Sequence, residues 1–325
     1  MGVFYYPGPV RHLYRIFEIY KALGKVYKSA GIDVKYFAKQ NEILPLQDTI
    51  GVDEFNNMLI NDCDLLFMWN GGKGEEQEIS VRCQKLGIPV YYSELGWLPQ
   101  RGTVYFDRKG VNFNSSLRDW KYSGPLRFDE RQELIAKLEY YHKFIVDRSD
   151  KKEEDFVFVP FQVENDSQIV NHSARIKRMQ QLVDYVCEFI PGKIVFKLHP
   201  KHDPGVIRCP DRCKLYSAGS THDFLPHCKY VVTINSTVGV EALTYYKPVI
   251  NLGDAFYENR MMTYKVNNDL DFKKAIDWAR SGRAAISVIE AFLYYLFKRQ
   301  WYSTDLDNPI KILSLIEKIT DRQTT

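Results

Sequence analysis

Residues 64–92 read DLLFMWNGGKGEEQEISVRCQKLGIPVYY, and this stretch decides the fold class. Asp64–Trp69 is a nearly unbroken apolar run, the mark of a strand covered on both faces. The charged stretch Glu75–Leu86 suits a helix, and Gly87 supplies its stop. A second apolar run, Ile88–Tyr92, is the next strand and ends at Ser93-Glu94. Strand, helix and strand in this order call for a parallel pair, because the crossover helix must cover one face of the sheet.

The alternation continues in both directions. Upstream, Val3–Tyr6 reads as a strand, Arg11–Ala30 as a helix and Val34–Phe37 as a strand. Downstream, Thr103–Asp107 and Gly110–Phe113, joined through Arg108-Lys109, read as a hairpin appended to the sheet. A helical pattern follows over Asp129–Val146. Residues 147–155, DRSDKKEED, contain no aliphatic or aromatic side chain and read as a linker. The pattern then restarts with strands at Phe156–Pro160, Ile194–Leu198, Lys214–Tyr216, Tyr230–Ile234 and Pro248–Leu252. Helices are expected at Ala174–Phe189 and Ser236–Tyr246. From about Phe272 there are three helical patterns, the central one (Ala284–Lys298) rich in apolar residues. The expected architecture is α/β and GT-B-like: two facing Rossmann-like domains, residues 1–150 and 151–270, with a helical tail, 271–325, packing back on them.

Bulk properties narrow the function. A chain of 325 residues is long for a single core, which agrees with two domains. Hydrophobic residues at 45% and charged residues at 26% exclude wholesale disorder. No apolar run reaches the roughly 18–20 residues that cross a bilayer. The opening MGVFYYPGPVRHLYRIF lacks the order of a secretory signal, so the chain reads as intracellular. With 44 basic against 41 acidic residues, it has no strong basic field for duplex nucleic acid. Six cysteines are too sparse for a disulfide framework.

Ligands of α/β proteins bind beyond the carboxyl ends of parallel strands, so polar residues at those ends are the ones to weigh. Glu94, between an apolar strand and Gly96-Trp97, is either a general acid or base beside an apolar wall or a helix-capping or loop carboxylate. The segment after Phe156–Pro160 holds Gln162, Glu164, Asn165, Asp166, Ser167 and Gln168. Here Gln162 and Asp166 contact a polar substrate, or Asp166 caps the next helix. Lys197 and His199 lie two apart around Leu198 and face one way along an extended strand. Pro200 leaves His199 at the strand edge, where an imidazole can donate to a phosphate. Asn235-Ser236-Thr237 marks a strand-to-helix junction suited to an anion, with Glu241 one turn on, in reach of a ribose diol. Two other motifs lead less far. Asn70-Gly71-Gly72-Lys73-Gly74 lacks the closing Lys-Ser/Thr of a P-loop and reads as a tight turn at the sheet edge. Cys209, Cys213, His222, His227 and Cys228 lack the second half of a recognised zinc pattern, so no metal is expected.

Five segments together carry a resemblance: YYSELGWLP (91–99), YFDRKGVNF (105–113), VFVPFQVENDSQI (157–169), FKLHP (196–200) and VTINSTVGVEALTYYKPVINLG (232–253). They resemble the bacterial capsule polysaccharide biosynthesis/export family and, within it, the retaining β-Kdo glycosyltransferases that use CMP-Kdo. The resemblance implies a GT-B fold with CMP held mainly by the second domain. His199 falls on the family's His-Pro motif and Ser236-Thr237 on its phosphate-binding helix start, with Glu241 at the ribose or cytidine. Asp166 matches the proposed nucleophile, and Glu94 the carboxylate across the cleft. No cofactor beyond the CMP-Kdo donor is implied. The implied partner is a saccharide or lipid-linked oligosaccharide of capsule or lipopolysaccharide synthesis, met in the cytoplasm or at the inner face of the inner membrane. The first sixty residues carry no diagnostic match, so the acceptor stays unspecified.

Three rivals share features with this reading. One is a sialyltransferase-like enzyme using another CMP-nonulosonate, and another is a hydrolysing sugar-nucleotide epimerase. The third is a non-enzymatic glycan-binding module, which the intact set of Glu94, Asp166 and His199 argues against. For membrane contact, Arg280, Arg283, Lys298 and Arg299 bracket the apolar stretch Ala284–Phe297. Its apolar residues surround nearly the whole helix, which favours a core helix over a surface one.

Overall fold

A computed structural model describes residues 2–6, 14–29, 31–38, 49–50, 54–57, 62–72, 74–143, 155–201, 205–302 and 305. The chain divides into two compact units: residues up to Val111 together with those from Arg299, and residues 112–298.

The first unit opens with β1 (Gly2–Tyr6), α1 (Tyr14–Ser29), β2 (Val34–Ala38) and β3 (Thr49–Ile50). Next come β4 (Leu65–Trp69), α2 (Gly74–Lys85), β5 (Val90–Leu95) and β6 (Thr103–Asp107). Leu66, Phe67, Met68 and Trp69 of β4 are all buried, as expected of an interior strand. In α1, Ile19, Tyr20, Leu23, Val26 and Tyr27 repeat at helical spacing and bury one face against Phe67, Tyr91 and Val104. Gly87, at φ 72°, ends the turn after α2 in the left-handed conformation that glycine adopts without a Cβ penalty.

The second unit contains α3 (Phe128–Lys143), β7 (Val157–Pro160), α4 (Ser167–His172), α5 (Met179–Phe189) and β8 (Ile194–Lys197). It continues with β9 (Cys213–Tyr216), β10 (Tyr230–Thr233), α6 (Val238–Leu243), β11 (Val249–Asn251) and β12 (Thr263–Lys265). Helices α7 (Asp269–Arg280) and α8 (Ile286–Arg299) follow. A two-residue strand, β13 (Trp301–Tyr302), then pairs antiparallel with β6, returning the chain to the first sheet.

The first sheet runs β13-β6-β5-β4-β1-β2-β3, parallel from β5 through β3, with β6 and β13 antiparallel. The second, β12-β11-β10-β7-β8-β9, is parallel throughout. After β7 the chain adds β8 and β9 on one side, then crosses to build β10 to β12 on the other. The strand order therefore reverses at β7/β10, the place where doubly wound sheets open a crevice. Its core joins Val157, Val159, Phe196, Val232 and Ile250 of the sheet to Leu182 and Val186 of α5 and Phe272 and Ile276 of α7.

Several expectations change. The units divide after Val111, not near residue 150, because α3 packs within the second unit. Its Leu134, Leu138 and Tyr141 are buried, and Arg131 grips the buried Glu290 of α8 at 2.9 Å. Residues 147–154 of the expected linker lie outside the described residues, as does the third helical pattern of the tail. The rest of that tail is not a separate appendage: α7 and α8 complete the second unit. The hairpin is also different. β6 pairs with β5, and Asn112–Asn114 is a short 3-10 helix entered at an Asn112 φ of 51°, which extended backbone does not permit. Finally, β4 lies inside its sheet, so the Asn70–Gly74 turn is not at an edge.

Candidate functional site

In the second unit, residues from adjacent strand ends are stitched together by buried amides. Gln162, after β7, is 8% exposed and Asn235, after β10, is 6% exposed. Gln162 Oε1 accepts the Asn235 N–H at 3.1 Å and the Thr233 hydroxyl at 3.4 Å, while its Nε2 donates to Asn235 Oδ1 at 2.9 Å. Asn235 Nδ2 in turn donates to the Gln168 carbonyl at 2.8 Å and to that of His172 at 3.4 Å. Buried polar groups need such partners. Gln162 and Asn235, both expected to contact substrate, join the loops after β7 and β10 through their amides.

On that base stands Asp166, exposed at the start of α4. Its Oδ1 accepts the main-chain N–H of Gln168 at 2.8 Å, so it is the helix N-cap. Ser167 is buried beside Asp166. Capping fixes the side chain without enclosing it, leaving a carboxylate at the rim.

Lys197 and His199 do not act as a pair. Lys197 is 4% exposed, and its ammonium donates to the carbonyls of Leu198 at 2.8 Å and Ser217 at 3.2 Å. Burial lowers its pKa, against a smaller opposing effect of Asp223. It ties the ends of β8 and β9 together. His199 is half-buried, and its Nδ1 accepts the Lys201 N–H at 3.2 Å. In the neutral ring this places the proton on Nε2.

Ser236 and Thr237 are half-buried ahead of α6, which is shorter than the expected Ser236–Tyr246. The Ser236 hydroxyl accepts the Val238 N–H at 3.2 Å, and its carbonyl accepts the Tyr257 hydroxyl at 2.5 Å. Gly239 makes that approach possible, since a Cβ there would lie 2.3 Å from the Tyr257 hydroxyl oxygen.

Glu241 belongs to a cluster that spacing did not reveal. Its Oε2 accepts the Thr221 hydroxyl at 2.8 Å and lies 3.6 Å from His222 Nε2. The His222 ring also bonds the hydroxyls of Tyr141 and Tyr245, each at 3.2 Å. Burial raises the Glu241 carboxyl to about 7 and lowers His222 to about 4, helped by His142. At neutral pH the imidazole is uncharged, so their 3.6 Å approach is not an ion pair. These partners come from α3 and from residues 221 and 245, too far apart in sequence for any motif to join them. Among the described residues, no group of three His, Cys, Asp or Glu side chains is placed to hold a metal ion.

In the first unit, Glu94 lies within β5, not beyond it, because β6 extends the strand and pairs Tyr105 with Glu94. Glu94 is half-buried; its Oε1 accepts the Leu95 N–H and its Oε2 accepts Asn70 Nδ2, both at 2.9 Å. Beneath it, the buried Ser93 hydroxyl donates to the Met68 carbonyl at 3.1 Å and meets the Tyr20 hydroxyl at 2.5 Å. A carboxylate with a fixed rotation at a rigid strand end can accept a proton from a bound hydroxyl.

The apolar stretch weighed for membrane contact is core. Val288, Ile289, Phe292, Leu293, Leu296 and Phe297 of α8 are buried, Lys298 pairs with Glu133, and Arg299 binds Asp107. Among the described residues, no helix is long and apolar enough to cross a membrane.

The capsule polysaccharide biosynthesis protein family matches residues 132–303, more than half of the chain. Protein FixF of Sinorhizobium fredii (strain NBRC 101917 / NGR234) is 31% identical over 220 residues, 63% of this chain and 52% of that protein. The capsule polysaccharide export protein KpsS of Escherichia coli is 34% identical over 128 residues, 32% of this chain and 31% of that protein. The chain thus spans about half, or less, of the length of the curated relatives it matches. Among solved structures, Thermosulfurimonas dismutans KpsC, beta Kdo 2,7 transferase, has a TM-score of 0.62 at 18% identity, covering 97% of this chain and 99% of that one. The KpsC beta Kdo 2,4 transferase gives 0.60 at 16%, covering 90% and 89%. At such identities the likeness speaks for the fold, a GT-B-like α/β architecture. On the match over residues 132–303, the chain belongs to the capsule polysaccharide biosynthesis protein family.

Proposed function

We propose that this protein is a retaining β-Kdo glycosyltransferase that moves Kdo from CMP-Kdo to a saccharide or glycolipid acceptor in bacterial surface polysaccharide synthesis. The observation that carries the reading is topological: Asp166, His199 and Ser236-Thr237 follow the neighbouring strands β7, β8 and β10, around the reversal of strand order.

In this reading the Nε2–H of His199 and the hydroxyls of Ser236 and Thr237 donate to the CMP phosphate, and Glu241 approaches the ribose. Asp166 attacks the anomeric carbon of Kdo as the bond to the CMP oxygen breaks, and CMP leaves with the electron pair. An acceptor hydroxyl, deprotonated by Glu94, then attacks the same carbon and releases Asp166, so two inversions give retention. Gln162, Asn235 and Lys197 hold the loops that present these groups, and Gln168 supplies its main chain to both Asp166 and Asn235. The reading assigns no metal and no separate cofactor. It places the reaction in the cytoplasm, where lipid-linked acceptors of this class are met at the inner face of the membrane.

The test is incubation with CMP-Kdo and no acceptor, followed by intact-mass measurement. One added Kdo, mapped by peptide fragmentation to Asp166, is the expected result. Asp166→Asn keeps a residue that caps as well as Asp and should lower CMP release by roughly 10³-fold or more. An adduct on Glu94, or turnover of CMP-sialate in place of CMP-Kdo, would overturn the assignment.

A further inference from the structure

Asn70 sits at the end of β4 and engages its surroundings through both amide atoms. Its main-chain N–H donates to the Ser93 carbonyl at 2.9 Å, extending the contact of β4 with β5. Its φ of 61° is left-handed, a conformation that asparagine tolerates better than most residues. There its Oδ1 accepts the Gly72 N–H at 3.1 Å, which turns the chain, and its Nδ2 donates to Glu94 Oε2 at 2.9 Å.

The amide has only one workable orientation. Flipping it would set Oδ1 against the Glu94 oxygen and Nδ2 against the Gly72 N–H, two acceptors and then two donors. The turn itself is confined: Gly71, at φ 82°, passes so close to Tyr92 that a Cβ would lie 2.5 Å from the ring. Tyr92 is held in turn by the Ser80 hydroxyl of α2. The Asn70 amide is therefore anchored to an interior strand and aimed at a carboxylate on the neighbouring one.

The geometry points to Asn70 as the positioning residue of Glu94, holding its carboxylate in one rotation as a proton acceptor. This rests on the role given to Glu94 above. A hydrogen bond donated to a carboxylate favours its charged form over its protonated form, so Asn70 helps to keep Glu94 a base. Of the neighbouring tyrosines, Tyr105 lies opposite Glu94 on β6, and Tyr20 of α1 bonds the adjacent Ser93. Burial, with a smaller contribution from Glu94 itself, pushes the Tyr20 phenol up and out of the assay range.

The test measures CMP release from CMP-Kdo, with water standing in for the acceptor hydroxyl, across a range of pH. Asn70→Gly keeps the left-handed backbone and removes only the amide. It should lower kcat about 10- to 100-fold, the worth of a hydrogen bond to a charged group, and leave KM within about twofold. Asn70→Asp keeps the acceptor for Gly72 but places a second carboxylate beside Glu94. Its activity should fall further at neutral pH, and the acidic limb of kcat should move to higher pH. Glu94→Gln should be at least as impaired as Asn70→Gly, and adding Asn70→Gly to it should cost nothing more. Wild-type kcat and an unmoved limb in both Asn70 variants, with Glu94→Gln inactive, would overturn the positioning role and leave Glu94 its own. A fully active Glu94→Gln would instead remove the base, and Asn70's role with it. Should Asn70→Gly fail to show a cooperative melt, Asn70→Asp decides the question by its pH limb.

Discussion

Glu94 and Asp166 are both carboxylates at the ends of parallel strands, but the two units hold them in different ways. In the first unit the acid is half-buried and is itself the anchored group, with N–H donors reaching both of its oxygens. In the second, the acid is exposed and caps a six-residue helix, while the buried polar bonds lie below it among Gln162, Thr233 and Asn235. The first arrangement fixes the carboxylate itself. The second puts the rigidity into buried amides and leaves the carboxylate at the surface. A buried amide left without partners is costly, so the second rim depends on the bonds among Gln162, Thr233 and Asn235.

This contrast can be broken experimentally. The largest effect should follow Gln162→Leu, which strips partners from the Asn235 N–H, Asn235 Oδ1 and the Thr233 hydroxyl. A loss of about 3 kcal/mol is expected, read as lower hydrogen-exchange protection of β7 and β10. If the second rim depended on Asp166 instead, Gln162→Leu would be nearly silent.

A smaller effect concerns Glu241 and His222. His222, lowered to about 4 from its ordinary 6.5, contributes stability that is present above 6.5 and lost as pH falls through 4. Glu241, raised from 4.5 to about 7, contributes stability that is present below 4.5 and lost as pH rises through 7. Between about 4.5 and 6.5 the two slopes oppose each other. Glu241→Gln should therefore make stability climb more steeply with pH in that window, by up to roughly 1.4 kcal/mol per pH unit. Chemical denaturation of both proteins at pH 5 and pH 6 would measure it. Parallel slopes would show that the pair does not titrate as a buried couple. The smallest effect is at the cap: Asp166→Ala should cost about 1 kcal/mol and Asp166→Asn almost nothing. Equal losses in paired melts would mean that the charge, and not the cap, supports α4.

Much of this was legible in the sequence where periodicity alone decides structure. β4, β7 and β8 stand out as apolar runs because parallel strands are covered on both faces, and Asp166 carries its capping role in its position. What escaped notice depends on contacts distant in sequence. Glu94 looked like a residue after a strand, since nothing near it announces that β6 will pair back and lengthen β5. Alternation gives the face on which Lys197 lies but not that the Leu198 and Ser217 carbonyls receive its ammonium. His222 read as a stray zinc candidate. Its partners, Tyr141 and Tyr245, are brought to it only by the packing of α3 and the end of α6. Asn70 reads in the sequence as one member of a tight turn; its left-handed backbone, which aims the amide, is not marked there.

The return of the chain to its first sheet has a consequence in time. Trp301 pairs with Val104 and Tyr302 with Thr103, across about 200 residues of intervening chain. The Gln300 side chain binds the main chain of Trp97 and Leu98, and Arg299 binds the buried carboxylate of Asp107. At a synthesis rate of 5–20 residues per second, these partners follow β6 from the ribosome by about 10–40 s. Until then the outer edge of β6 has no strand beside it, and Asp107 waits for its guanidinium. The second unit, continuous in sequence, has all its residues by the end of α8. The unit that is begun first is therefore the one completed last.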